Sequence, residues 1–200
     1  YDNGVHHGSH IKWFGEKSDQ HKKFHINYKD GKKDGNWRHW YSSGVDSLKA
    51  TYLNGEKDGH WIWWRKNGLK DKEGFYKKEK KHGLWTIWND STGSAYHKLH
   101  EETYVNDAID GKVTKWYKEG GLDRQGIMRG KEKEGEWTYW ERGGKRWLKF
   151  DYGDGLEKVT LGEIEERDGI TFKIGKYEPY VGIVEETGGK RGYKLLGRFL

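Results

Sequence analysis

Large rings and glycines alternate along this chain on a nearly fixed period. Tyr1, Tyr28, Tyr52, Tyr76, Tyr104, Met128 and Tyr152 follow one another at intervals of 27, 24, 24, 28, 24 and 24 residues. A glycine stands seven places after each of the first six: Gly8, Gly35, Gly59, Gly83, Gly111 and Gly135. Tryptophans then occupy the second and fifth places after these register glycines, as Trp37 and Trp40, Trp61 and Trp64, Trp85 and Trp88, and Trp137 and Trp140. Trp116 and Trp13 take the fifth place alone, and only Trp63 and Trp147 fall outside the register. Self-similarity at this period predicts a repeat architecture, in which each unit packs mainly on its neighbours.

Two turn signals punctuate each unit. One lies before the register glycine, as in Asp30-Gly31 and Asn54-Gly55; the other closes the Trp segment at Gly44, Gly68, Gly93, Gly120 and Gly144. Asn-Gly and Asp-Gly supply the positive φ of tight hairpin turns. Between them lie segments of about six residues rich in Trp, Tyr, Thr and Ile, the length and composition of strands. Each unit therefore reads as a β-hairpin, and the chain as an all-β, elongated array of antiparallel hairpins. Residues three apart face opposite sides of a regular strand. Either the indoles occupy both faces, or a bulge brings them together.

After Tyr152 the pattern weakens. Gly182 precedes Phe199 by 17 residues, the offset of Gly35 to Tyr52, and Val184 takes the first Trp place. The expectation is hairpin repeats over 1–152 and degenerate repeats over 153–200 that stop in mid-unit.

Composition alters the packing argument more than the fold. Leu, Ile, Val and Phe make up 35 of the 200 residues, below the roughly 20% that separates folded from disordered chains. Twelve Trp and thirteen Tyr outweigh that deficit, because each ring buries on the order of 150–250 Å². Rings take the place of an aliphatic interior. The net charge of +6, from 38 basic and 32 acidic residues, describes a mixed, soluble surface more than a nucleic-acid binder, and no nucleic-acid partner is expected. Without cysteine, disulfides and thiolate metal sites are excluded. No apolar run approaches the ~18 residues of a transmembrane helix. The chain opens on Tyr1 and not Met, so a processed or trimmed product is expected, leaning to a secreted or cell-surface location.

The units at 28–44, 52–68 and 76–88 follow Tyr-x-x-Gly-x-x-(Asp/His)-Gly-x-Trp-x-x-Trp most closely, with 104–120 and 128–144 next. This pattern resembles the MORN-repeat variant of bacterial YwqK-type proteins. The resemblance implies an elongated, non-catalytic hairpin array. Members of that family include antitoxin or immunity proteins and cell-surface proteins, so it transfers architecture more than role.

Candidate chemistry is thin. His6, His7 and His10 invite a metal, but they lack a zinc-type spacing. His7 and His82 also fill the pre-glycine slot held elsewhere by Asp34, Asp58, Asp110 and Glu134, which reads as turn chemistry or a polar ladder. No catalytic motif is present, and no cofactor is expected. The basic stretch Lys77 to His82 reads as a solvated turn. The leading expectation is a non-enzymatic scaffold that binds a protein partner, or itself head to tail through its end strands. An immunity-type toxin neutraliser is one alternative. Polysaccharide binding is another, with Trp63 and Trp147 as its first candidates because they stand outside the structural register.

Overall fold

The computed structural model describes residues 4–15, 21–90, 95–144 and 146–152, with four short strands beyond them. The repeats form one antiparallel meander. Its strands are β1 (Gly8–Trp13), β2 (Lys22–Lys29), β3 (Lys32–Trp40), β4 (Asp46–Leu53), β5 (Glu56–Lys57), β6 (Gly59–Trp64) and β7 (Lys70–Lys77). It continues through β8 (Lys80–Trp88), β9 (Lys98–Val105), β10 (Ala108–Trp116), β11 (Leu122–Arg129), β12 (Glu132–Trp140) and β13 (Arg146–Asp151). Each strand pairs with its sequence neighbours in a thirteen-stranded sheet that does not close, with β5 paired to β4 as the start of β6. This is the expected all-β hairpin array.

Beyond it, β14 (Lys158–Thr160) pairs in parallel with β17 (Ile183–Glu185), and β15 (Ile164–Arg167) pairs antiparallel with β16 (Ile170–Lys173). Most of 153–200, including Gly182 and Phe199, lies outside the described residues, as does Tyr1.

The turns behave as their residues dictate. Asn54 and Gly55 take φ of 52° and 93°, the two left-handed conformations of a type I′ turn. Lys78 and Glu79 adopt the same pair without a glycine, at 50° and 68°. The register glycines mark a second device. In β2–β3, Ile26 pairs with Trp37 and Tyr28 with Lys33, so residues 34–36 oppose Asn27 alone. The same two-residue excess recurs in β7–β8, β9–β10 and β11–β12. At each such bulge the glycine sits at positive φ, from 58° at Gly135 to 125° at Gly111, where a side chain would be strained.

The bulge frees backbone groups, and the next unit's turn takes them up. Gly55 N–H donates to the Lys33 carbonyl at 2.7 Å, Glu79 to Lys57 at 3.0 Å, and Asp107 to Lys81 at 3.0 Å. The pre-glycine acids join this stitching, as turn chemistry requires. Asp34 accepts from Asn54 N–H at 3.0 Å and Asp58 from Lys78 N–H at 3.3 Å. At the opposite end of the strands, Tyr41 donates its hydroxyl to the Trp64 carbonyl at 2.7 Å and Tyr117 to that of Trp140 at 2.6 Å. Arg65 reaches the Trp88 carbonyl at 2.8 Å from the equivalent position. Units are thus tied together along both margins of the sheet.

Candidate functional site

The two indoles of a unit occupy opposite faces, which settles the alternative left open by their spacing. The bulge inserts an even number of residues, so alternation is preserved across it. Trp37 meets Tyr52 at 5.2 Å and Trp61 at 6.1 Å, whereas Trp40 lies over the Arg38 guanidinium at 5.0 Å. Arg38 and Trp37 are adjacent and therefore point to opposite sides.

On the first face, rings form a stack that runs from Trp37 to Tyr104, is interrupted at Val113 and resumes at Trp137. Trp61 contacts Tyr52 at 5.2 Å and Tyr76 at 5.3 Å; Trp85 contacts Tyr76 at 5.1 Å and Tyr104 at 6.3 Å. Trp61, Trp85 and Trp137 are almost fully buried there. Trp63 joins the same face, 5.5 Å from Trp61 and 5.9 Å from Trp85, with the Lys72 ammonium 4.9 Å from its ring. It is therefore half-buried packing, held like the rings in register. Trp147 lies on β13, and its side chain falls outside the described residues.

A feature missed in the sequence runs through this stack. Lys33, Lys57, Lys81 and Lys133, each two places before a register glycine, sit between the first Trp and the following Tyr. Lys33 Nζ lies 4.2 Å from the Trp37 ring and 4.9 Å from Tyr52; Lys81 lies 4.6 Å from Trp85 and 4.7 Å from Tyr104. Such cation–π contacts contribute about 0.5–1 kcal/mol each, more where water is excluded. In the fifth unit three substitutions occur together. Ile109 replaces the lysine, Val113 replaces the indole, and Glu102 stands opposite where Gly74 and Gly126 stand in neighbouring units. A smaller core residue accompanies a larger neighbour, and the cation goes when the indole goes. The recurrence of lysine at that offset was visible in the chain, but its partners were not.

Burial perturbs the phenols of this face. Burial first, then Glu79 and the neighbouring Tyr28 and Tyr76, pushes Tyr52 up to about 12. Burial raises Tyr76 and Tyr104 as well, Tyr104 further through its hydrogen bond to Glu102 at 2.7 Å. An unfolded tyrosine titrates near ~10. The folded state therefore holds these protons more tightly, so this contribution is complete below about pH 10 and lost as pH rises through the folded values. Urea midpoints should fall between about pH 10 and 12 in step with the ultraviolet tyrosinate signal. A midpoint constant across that window would contradict it.

The second face carries the second-position tryptophans, all half-buried: Trp40, Trp64, Trp88, Trp116 and Trp140. Between them two cross-strand rows run the length of the sheet. One reads Ile11, His25, Arg38, Lys49, Ile62, Glu73, Thr86, Glu101, Thr114, Gln125, Thr138, each paired with the next. The other includes the pairs Ser9–Asn27, Asn36–Thr51, His60–Phe75 and Leu84–Thr103.

At the N-terminal units these rows enclose a cavity of about 430 Å³ lined by His25, Asn27, Asn36, Arg38, Lys49, Thr51, His60 and Ile62, with the Trp37 and Ala50 strands as floor. Asp46 accepts from Arg38 Nε at 2.6 Å and Nη2 at 2.7 Å, which raises the guanidinium pKa further and fixes its plane. Ser9 Oγ lies 2.6 Å from His25 Nε2, and His60 Nε2 lies 3.5 Å from Glu73. The His60 ring stacks on Phe75 at 4.6 Å. Phe75 and Leu84 are nevertheless 46% and 48% exposed.

The N-terminal histidines, weighed above against a metal site, pack on neighbouring side chains. His6 lies 5.4 Å from His10 and 5.2 Å from Tyr28 as rings, and His7 Nδ1 is 3.5 Å from Asp30. No group of three or more His, Asp or Glu is placed to hold a metal ion among the described residues. No known protein family matches the chain, and no curated protein matches it either.

Proposed function

We propose that the protein is a non-enzymatic repeat scaffold of the MORN type that binds a protein partner across the second face of its sheet. The observation that carries this reading is the contrast between the faces. First-position rings are consumed by packing with one another and with lysines, whereas the second face keeps Phe75 and Leu84 about half exposed, with Phe75 stacked on His60 of the polar cavity. Exposed apolar side chains bordered by polar groups are the composition of protein interfaces. The open meander and its 24-residue hairpin unit support the MORN assignment.

The test is capture of a stoichiometric partner by the immobilised full chain, compared between wild type and the variants Phe75→Lys and Leu84→Lys. Both positions are exposed, so folding should be retained, and capture should fall by about tenfold or more, the loss of a central apolar contact. Capture that is indifferent to both substitutions would remove this face from the function.

A further inference from the structure

The first row of the second face changes character in the N-terminal units. Three places after the register glycine, Thr86, Thr114 and Thr138 fill the row in later units, and the strands between them present Glu73, Glu101 and Gln125. In the N-terminal units the same positions hold His25, Arg38 and Lys49, directly opposite one another on three adjacent strands. Arg38 and Lys49 face each other across the β3–β4 pair, an unfavourable arrangement of like charges that also occurs at Lys29–Lys32, Lys77–Lys80 and Lys115–Arg124. Here the two facing cations line the cavity.

Resting on the scaffold reading above, we infer that this groove receives an acidic peptide segment of the partner, with two carboxylate side chains spaced two residues apart. The cavity lining contains no carboxylate. Asp46, outside the lining, holds Arg38 by two hydrogen bonds and lies 4.0 Å from the Lys49 ammonium, while the indoles of Trp40 and Trp64 flank Arg38 and Lys49 at 5.0 and 5.5 Å. Both cations are thereby positioned without being covered, with side chains 42% and 47% exposed. His25 to Lys49 spans two interstrand steps, roughly 10 Å, and side chains two apart on an extended peptide lie about 7 Å from each other. Two carboxylates at that spacing reach both ends of the row. Asn27, Asn36 and Thr51 in the adjoining row supply the amides and hydroxyl that an extended backbone requires. These neutral groups on a concave floor suit a peptide better than a flat anionic membrane.

The probe is a labelled Ser-Glu-Ser-Glu-Ser-Glu peptide, read by fluorescence anisotropy on the full chain at low salt, with the Ser-Gln equivalent as its control. Binding should be seen for the Glu peptide alone and should weaken about tenfold in Lys49→Glu and less in Lys49→Gln. Lys77→Glu, in the basic turn outside the groove, should bind as wild type does. Equal loss in Lys77→Glu, retention in both Lys49 variants, or a preference for phosphatidylserine vesicles over the peptide would each overturn the inference. If the peptide fails while partner capture still depends on Phe75 and Leu84, the groove assignment falls and the scaffold reading stands. If capture is absent or indifferent to those two residues while the peptide binds, the reverse holds.

Discussion

Trp61→Ala is expected to destabilise the chain by about 3–5 kcal/mol, the range for deleting a large buried ring. Trp64→Ala, three residues away, should cost about 1–2 kcal/mol. Sequence register treats the two indoles alike, but their surroundings differ. Trp61 is 4% exposed, and the rings of Trp37, Tyr52, Trp63 and Tyr76 all lie within 6.1 Å of it. Its N–H donates to the Thr51 carbonyl at 3.1 Å, and Lys57 caps its face at 5.5 Å. Trp64 is half-buried, with Lys49 as its cationic neighbour. Removing Trp61 also breaks the stack between units, and an array stabilised through nearest neighbours then loses cooperativity. Urea unfolding should show a lower midpoint together with a shallower or divided transition. Equal costs for the two substitutions would refute the assignment of the faces.

Gly74→Val should cost a comparable ~2–5 kcal/mol, although it adds only three carbons. A Cβ at Gly74 would meet the Trp85 ring at 2.2 Å, and one at Gly126 would meet Trp137 at 2.3 Å. The repeats themselves supply a graded series. Opposite Gly74 and Gly126, the indole N–H reaches the carbonyl of the next residue, Phe75 at 3.1 Å and Ile127 at 2.9 Å. In the unit whose small residue is Ala50, Trp61 keeps the equivalent bond to Thr51. Opposite Ile26, the Trp37 N–H is buried without a partner. A branched side chain at that position thus accompanies the loss of the indole hydrogen bond.

Valine at 74 should therefore combine overpacking, about 1–3 kcal/mol, with an orphaned donor, about 1–3 kcal/mol. Gly74→Ala should be milder, as Ala50 shows. The double variant Gly74→Val/Trp85→Val should be less destabilised than the sum of its parts by at least about 1 kcal/mol, the signature of direct coupling. Strict additivity would mean that the ring and the glycine do not constrain each other. The combination of Glu102 with Val113 is the chain's own version of that exchange.

The reason for glycine at 74 was hidden in the sequence, because nothing near it in the chain indicates an indole eleven residues on lying across it. The register glycines were legible, since a tight turn or bulge demands a positive φ that is a local property. Trp63 shows the reverse case. Standing outside the period made it a candidate for exposed binding, yet a strand carries side chains two apart on one face, so Trp63 shares the stack with Trp61. The groove of His25, Arg38 and Lys49 has no signature along the chain, because those residues belong to three different strands and meet only through pairing.

Amino-acid order alone determined the period, the hairpins, the positions of the turns and the reliance on rings, all of which follow from spacing and from the conformational demands of Gly, Asn and Asp. Tertiary structure decided the rest. It chose which indole is buried, set lysines between rings, and gathered a cationic row onto one face. The physical reason is that a two-residue bulge and the pairing register place neighbours across strands, and contacts between residues in successive units depend on how those units stack.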